Sequence, residues 1–194
     1  MEKRITQNKI EMPDSYYISY MTEKEKGIMT HLIKAKDEKG NIYYQVGNKK
    51  RWFAKKNAAY RSFFLADNGR VVLEEDKDFT DDYVYEVTKE FQRCTDKSLL
   101  QRIGKAEYQG NCCVAGRECE EYTVTVKAAV FSQCFSCMVD KQTGICLKWQ
   151  QKANLNGFEI HPGGNFECIE FLTNQVSERL ARKQPEEDIW EKLL

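Results

Sequence analysis

Six of the eight cysteines fall between Gly110 and Gln150, and thiols at short spacing are what metal and redox chemistry are built from. Cys134-Phe-Ser-Cys137 is the single CxxC of the chain. A zinc knuckle needs two such pairs on turns, and a thioredoxin-type site needs a helix N-terminus to lower the thiol pKa. The residues around Cys134 and Cys137 alternate as a strand does, so the two thiols should point to opposite faces. The same parity separates Cys112 from Cys113. These cysteines are therefore expected to act as small buried hydrophobes, with no metal and no cofactor.

The two histidines add little chemistry. His31 sits in an apparent strand, as a satisfied core or surface residue, and His161 lies in a Pro-Gly-Gly loop, as a solvated turn residue. HExxH, GxSxG and a phosphate-cradling glycine loop are missing from the sequence. Glu74-Glu75-Asp76 and Glu186-Glu187-Asp188 read as solvated charge runs. Lys49-Lys50-Arg51-Trp52-Phe53 reads as a basic hairpin entering a strand, in preference to a base-stacking surface. No catalytic residue emerges.

The elements that must position these residues are mostly strands. Ten Tyr and ten Phe favour a sheet, and thirty acidic residues cancel thirty basic ones, so no net field recruits nucleic acid or an anionic membrane. Residues 1–13 form a polar lead-in without an apolar signal core, and no run is long enough to span a membrane. The expected location is the cytoplasm, or an exported state if a signal segment has been removed. Strand signals follow at Tyr16–Met21, Gly27–Lys36, Ile42–Val46, Arg51–Lys55, Ala58–Ala66 and Val71–Glu75. Asp37–Asn41 makes a turn with Gly40 at positive φ, and Asp67-Asn68-Gly69 makes a hairpin turn.

Phe79, Tyr83, Val87 and Phe91 recur every four residues behind Thr80 and two aspartates, which predicts a capped helix. Thr95–Ile103 reads as a second short helix. Strands resume at Lys105–Tyr108 and run through Gln150; Asn154–Asn165 reads as a loop, and Phe166–Thr173 as the last strand. Ser177–Lys183 and Glu186–Leu194 are helix candidates. Alternation places Tyr122, Val124 and Val126 on one face, with Phe131, Phe135, Cys137, Val139, Ile145, Leu147 and Trp149, and leaves Cys146, Lys148 and Gln150 outside. Aligning the apolar sets pairs Val139 with Ile145, Met138 with Cys146, Cys119 with Met138 and Thr123 with Cys134. Cys119 and Cys146 then flank one strand about 9–10 Å apart by strand spacing, too far to bridge.

The order of an aromatic strand (SYYISY), a KDEKGNIYYQV hairpin, a helical interruption, a VAGRECEEYTV strand, a VDKQTGICLKW hairpin and a FECIEFLT strand resembles the lipoprotein-localisation carrier (LolA-like) fold, and bacterial proteins similar to it. The resemblance spans roughly residues 14–175. It implies a strongly curved antiparallel sheet forming an unclosed barrel, with one or two helices covering the concave side. In such carriers the concavity holds acyl chains. No signal segment is expected from the residues given, a departure from the export carriers, and no functional residue of theirs is transferred.

The expected architecture is thus mainly β (α+β), a single domain over residues 1–194 with a helical insertion about 79–103 and a helical tail over 176–194. The expected function is a non-enzymatic binding protein for a lipid-like or hydrophobic ligand, lined by Tyr122, Val124, Phe135, Leu147, Trp149, Ile169 and Phe171. The alternative is a protein–protein interaction module whose C-terminal amphipathic helix, carrying Ile189, Trp190, Leu193 and Leu194, docks on a partner. An enzyme without a recognisable motif is the third reading.

Overall fold

A computed structural model describes residues 12–25, 27–66, 68, 70–74, 79–89, 91 and 106–182. The helices expected at Thr95–Ile103 and Glu186–Leu194, with Ile189, Trp190, Leu193 and Leu194, lie outside the described residues. The first strands are β1 (Tyr16–Glu25), β2 (Ile28–Lys36), β3 (Ile42–Val46), β4 (Lys49–Lys56), β5 (Ala59–Leu65) and β6 (Val71–Leu73). Helix α1 (Asp81–Val87) follows, then β7 (Glu107–Val114), β8 (Arg117–Lys127), β9 (Phe131–Asp140) and β10 (Cys146–Leu155). The described chain ends with β11 (Phe158–Ile160), β12 (Phe166–Leu172) and α2 (Val176–Ala181). The strands form one antiparallel sheet in the order β6-β5-β4-β3-β2-β1-β12-β10-β9-β8-β7, with β11 paired to β10, and the sheet does not close on itself. The mainly-β, unclosed architecture expected from the sequence is the one observed.

The chain groups into two compact units. One holds residues 20–30 and 92–170, the other residues 13–19, 31–91 and 171 onward. In the second unit, Ala35, Tyr43, Trp52 and Phe63 stand in one cross-strand row, because their strands pair at those positions. That row buries against Val176 and Leu180 of α2, with Tyr17 and Ile33 beside it. Each fully buried aliphatic or aromatic side chain contributes about 1.5–3 kcal/mol relative to exposure. The other face of the same strands carries Lys34 and Arg51, which bond to Thr88 and Tyr83 at the end and in the body of α1 (3.1 and 3.2 Å). The two described helices therefore pack on opposite faces of β2–β5.

Helix α1 forms where the four-residue spacing predicts it. Thr80 Oγ1 accepts the Tyr83 amide at 3.3 Å, and Asp81 and Asp82 sit in the first turn, where the helix dipole favours negative charge. The turn at Asp37–Asn41 is also as read. Asp37 Oδ1 accepts the amides of Lys39 and Asn41, and Gly40 has φ 85°, where a Cβ would come within 2.8 Å of the Lys55 stem. The expected hairpin at residues 67–69 is closed by a 2.9 Å bond from the Ala66 amide to the Arg70 carbonyl.

Three readings are corrected in the first unit. Cys119 pairs with Asp140 and Thr123 with Ser136, a two-residue shift from the expected register. The shift keeps every side chain on its expected face and brings Arg117 to Asp140, whose carboxylate accepts from Nε at 2.8 Å and Nη2 at 2.9 Å. Second, Cys146 pairs with Val139 and Lys148 with Met138, so Leu147 is an extra residue in a bulge. The bulge turns Cys146 to the side of Val139, where it is buried instead of exposed. Third, the Asn154–Asn165 loop contains a hairpin. Asn156 (φ 52°) and Gly157 (φ 84°) form a primed turn that pairs β11 with the end of β10.

Candidate functional site

Directly paired residues on antiparallel strands project to the same face, so the register assigns the site. Tyr108, Tyr122, Cys137, Trp149 and Phe166 form one continuous row across β7, β8, β9, β10 and β12. Tyr20 of β1 extends it, meeting Phe166 edge-on at 5.6 Å while its hydroxyl donates to the Cys146 carbonyl at 3.0 Å. The next row holds Val124, Phe135 and Gln151, with Phe135 tilted against Trp149 at 5.3 Å. Val126, Gln133, Ala153 and Ile160 follow, then Phe131, Leu155 and Phe158.

Along these rows the face passes from buried to open. Tyr122, Trp149 and Phe166 are buried, whereas Val126, Leu155 and Ile160 are exposed and Phe158 keeps 76% of its surface in water. Val130, in the β8–β9 turn, keeps 60%. Scattered apolar residues on a surface need no account, but a contiguous set does. The other face of the same strands is polar: Thr125, Cys134 and Lys152 form one row, and Lys127, Ser132, Asn154 and Glu159 the next. A shallow groove of about 300 Å³ runs over those two rows.

Of the seven residues expected to line a ligand site, Tyr122, Val124, Phe135 and Trp149 come together on the apolar face. Leu147 is fully buried in the bulge. Ile169 has the strand parity opposite to Phe166, the partner of Trp149, and is 53% exposed. Phe171 is buried in the other unit. The sequence reading missed Phe158, Leu155 and Ile160, because Asn154–Asn165 was read as a loop; the Asn156-Gly157 dipeptide was the available signal.

The polar residues serve the frame. Glu23 is buried on β1, and its carboxylate accepts from the Gly27 amide (2.9 Å) and Asn165 Nδ2 (3.0 Å), with His161 Nε2 3.3 Å away. The Gly27 bond is the largest influence holding its carboxyl below the usual range, against burial and with help from His161 and Asn165. His161 is exposed in its loop, as expected; its Nδ1 accepts the Gly163 amide at 3.4 Å, and its Nε2 clips the loop to Glu23. His31 is satisfied by Ser19 at 2.6 Å, in the other unit. There too, Arg51, Ser62, Glu74 and Tyr83 form a closed network, Ser62 donating to Glu74 at 2.6 Å and Tyr83 at 3.0 Å. Trp52 and Phe53 are buried, which leaves neither ring to stack on a base.

The thiols behave as strand parity requires: Cys134 is exposed and Cys137 buried on the opposite face. Burial, with Glu121 nearby, pushes the Cys137 thiol up to about 12, so it is protonated and unreactive at neutral pH. Among the described residues no three His, Cys, Asp or Glu side chains converge as metal ligands. No described helix is long and apolar enough to cross a membrane.

No protein-family model matches the chain, and neither does any curated protein. Solved structures do. The crystal structure of MucB matches over 82% of this chain and 54% of its own, at 16% identity and a TM-score of 0.41. The Pseudomonas aeruginosa MucA/MucB complex matches at 18% identity and 0.39, over 81% of this chain and 51% of that one. MucB in complex with MucA(peri) matches at 15% identity and 0.38, over 82% and 50%. The chain thus spans about half the length of each of these structures.

Proposed function

We propose that this chain is a non-catalytic binding protein that takes an elongated apolar ligand along the β8–β11 face, with Tyr122, Val124, Phe135 and Trp149 at the inner end. The observation that carries the reading is the mainly apolar face that runs from buried Trp149 past Phe135, the bonded Gln133–Gln151 pair and Ala153 to exposed Leu155 and Phe158. A contiguous exposed apolar set on a surface marks a contact site for a ligand or partner, where scattered residues do not. The His161 clip and the Arg51 network, each closed on itself, offer no comparable opening for a substrate.

The test is titration with a fluorescent acyl probe, alongside native mass spectra taken before and after delipidation. Leu155→Lys with Phe158→Lys should weaken probe binding at least about tenfold, since each lost apolar contact is worth on the order of 1 kcal/mol. A wild-type protein that neither binds the probe nor carries delipidation-sensitive mass overturns the proposal. If that protein self-associates, or holds a protein partner, and the double variant does not, the patch is a protein-docking surface.

A further inference from the structure

Cys112 on β7 and Cys119 on β8 are directly paired in the antiparallel ladder, and therefore on the same face. The register is fixed by the turn between them, where Ala115 (φ 51°) and Gly116 (φ 74°) take the primed conformation of a two-residue hairpin. Neighbouring Cys113 pairs with Glu118 and points the other way. Elsewhere in the ladders Cys137 faces Tyr122 and Trp149, Cys134 faces Thr125 and Lys152, and Cys146 faces Val139 on β9.

We propose that Cys112 and Cys119 are a reversible disulfide modification site, closed across the β7–β8 hairpin by exchange with a small disulfide oxidant. Directly opposite Cα atoms lie about 4.5–5.5 Å apart, inside the 4.4–6.8 Å window of about that range that a disulfide spans. Opposite Cβ atoms at about 4.5–5.5 Å must close to about 4.5 Å or less. Among the described strands β7 ends the order and has one neighbour, β8, so it can shift by that amount without breaking a second described ladder.

Cys119 is fully buried and Cys112 half-buried, which sets the order of steps. The Cys112 thiolate attacks the oxidant, forming a mixed disulfide and expelling one thiolate. The Cys119 thiolate then attacks Cys112 Sγ, forming the cross-strand bond and expelling the second. Two protein thiols lose two protons and two electrons, and the oxidant leaves as two thiols. Burial first, and Cys112 second, push the Cys119 thiol up to about 12, so the closing step is slow at neutral pH and quickens in mild alkali. The strain of drawing two paired strands together makes the bond easy to reduce.

The experiment is incubation of the folded protein with oxidised glutathione at about pH 8.5, near the ordinary thiol pKa, then acid quench, alkylation and tryptic mapping. Trypsin cuts after Arg117, so the bond joins residues 106–117 to residues 118–127. The linked pair, lighter by two hydrogens, should form in wild type and in Cys113→Ser, vanish in Cys112→Ser and Cys119→Ser, and disappear on adding dithiothreitol. A link that survives in Cys112→Ser overturns the assignment. So does a glutathione adduct that persists on Cys112 of wild type and Cys113→Ser with no linked peptide.

Discussion

Asp140 shows how one side chain settles what a pattern leaves open. It is buried at the end of β9, and its carboxylate accepts from Arg117 and from the amide and hydroxyl of Thr143 (2.9 and 2.7 Å). Burial alone would raise its pKa; the bonds from Arg117 and Thr143 outweigh it and hold the carboxyl below the usual range. A carboxyl with a depressed folded pKa adds stability that is present above the unfolded value, near 3.9, and lost as pH falls through the folded one. Acidification below about pH 4 should therefore cost wild type more stability than Asp140→Asn, measured by urea unfolding at stepped pH. At neutral pH Asp140→Ala should lose on the order of 1–3 kcal/mol, because it removes the charge-assisted bonds from Arg117 and those from Thr143. Arg117→Met in that background should recover part of the loss. Apolar alternation repeats every two residues, so registers two apart satisfy it equally; polar contacts such as this ion pair, the Ser136–Glu121 bond and the Ala128–Phe131 turn distinguish them. That is why the faces of β8 and β9 were legible in the sequence and their pairing was not.

Turns decide which elements exist. The Asp37–Asn41 turn and the Thr80 cap were readable because each rests on a local side-chain bond. Ala115–Gly116 and Asn156–Gly157 are equally local, yet one was read within a continuous strand and the other within a loop. Their effect is long-ranged: the first places Cys112 opposite Cys119, and the second lengthens the apolar face by Phe158 and Ile160. Gly157 has open space where a Cβ would sit, so a substitution there tests backbone conformation alone. Gly157→Val should cost about 1–2 kcal/mol, the penalty of left-handed backbone for a side-chain-bearing residue, and should loosen β11 as read by amide exchange. The bulge at Leu147 has no such local signature; it breaks the parity of Cys146 without any turn residue to announce it. In α2, Leu180 is buried against Tyr43 and Trp52 without a side-chain cap at Gln175, so packing holds the helix. Leu180→Ala should cost about 2–5 kcal/mol, in the range for buried leucines.

At the scale of the molecule, two cores are threaded on shared strands. Tyr17 belongs to one core and Tyr20 to the other, although both are on β1, and the chain passes between the units again inside β12. If one unit melted while the other stayed folded, each shared strand would be cut at the boundary, and every buried backbone group orphaned there costs about 1–3 kcal/mol. The two cores should therefore unfold together. Trp52 reports on one and Trp149 on the other, both buried. In a Trp190→Phe background, the Trp52→Phe and Trp149→Phe variants should give urea curves with the same slope for a single transition, whatever their midpoints. Leu180→Ala, placed in one unit, should lower the midpoint seen by Trp149 in the other as much as the midpoint seen by Trp52. Two separated transitions, or a Leu180→Ala effect confined to Trp52, would show that the units fold independently and that the shared strands do not couple them.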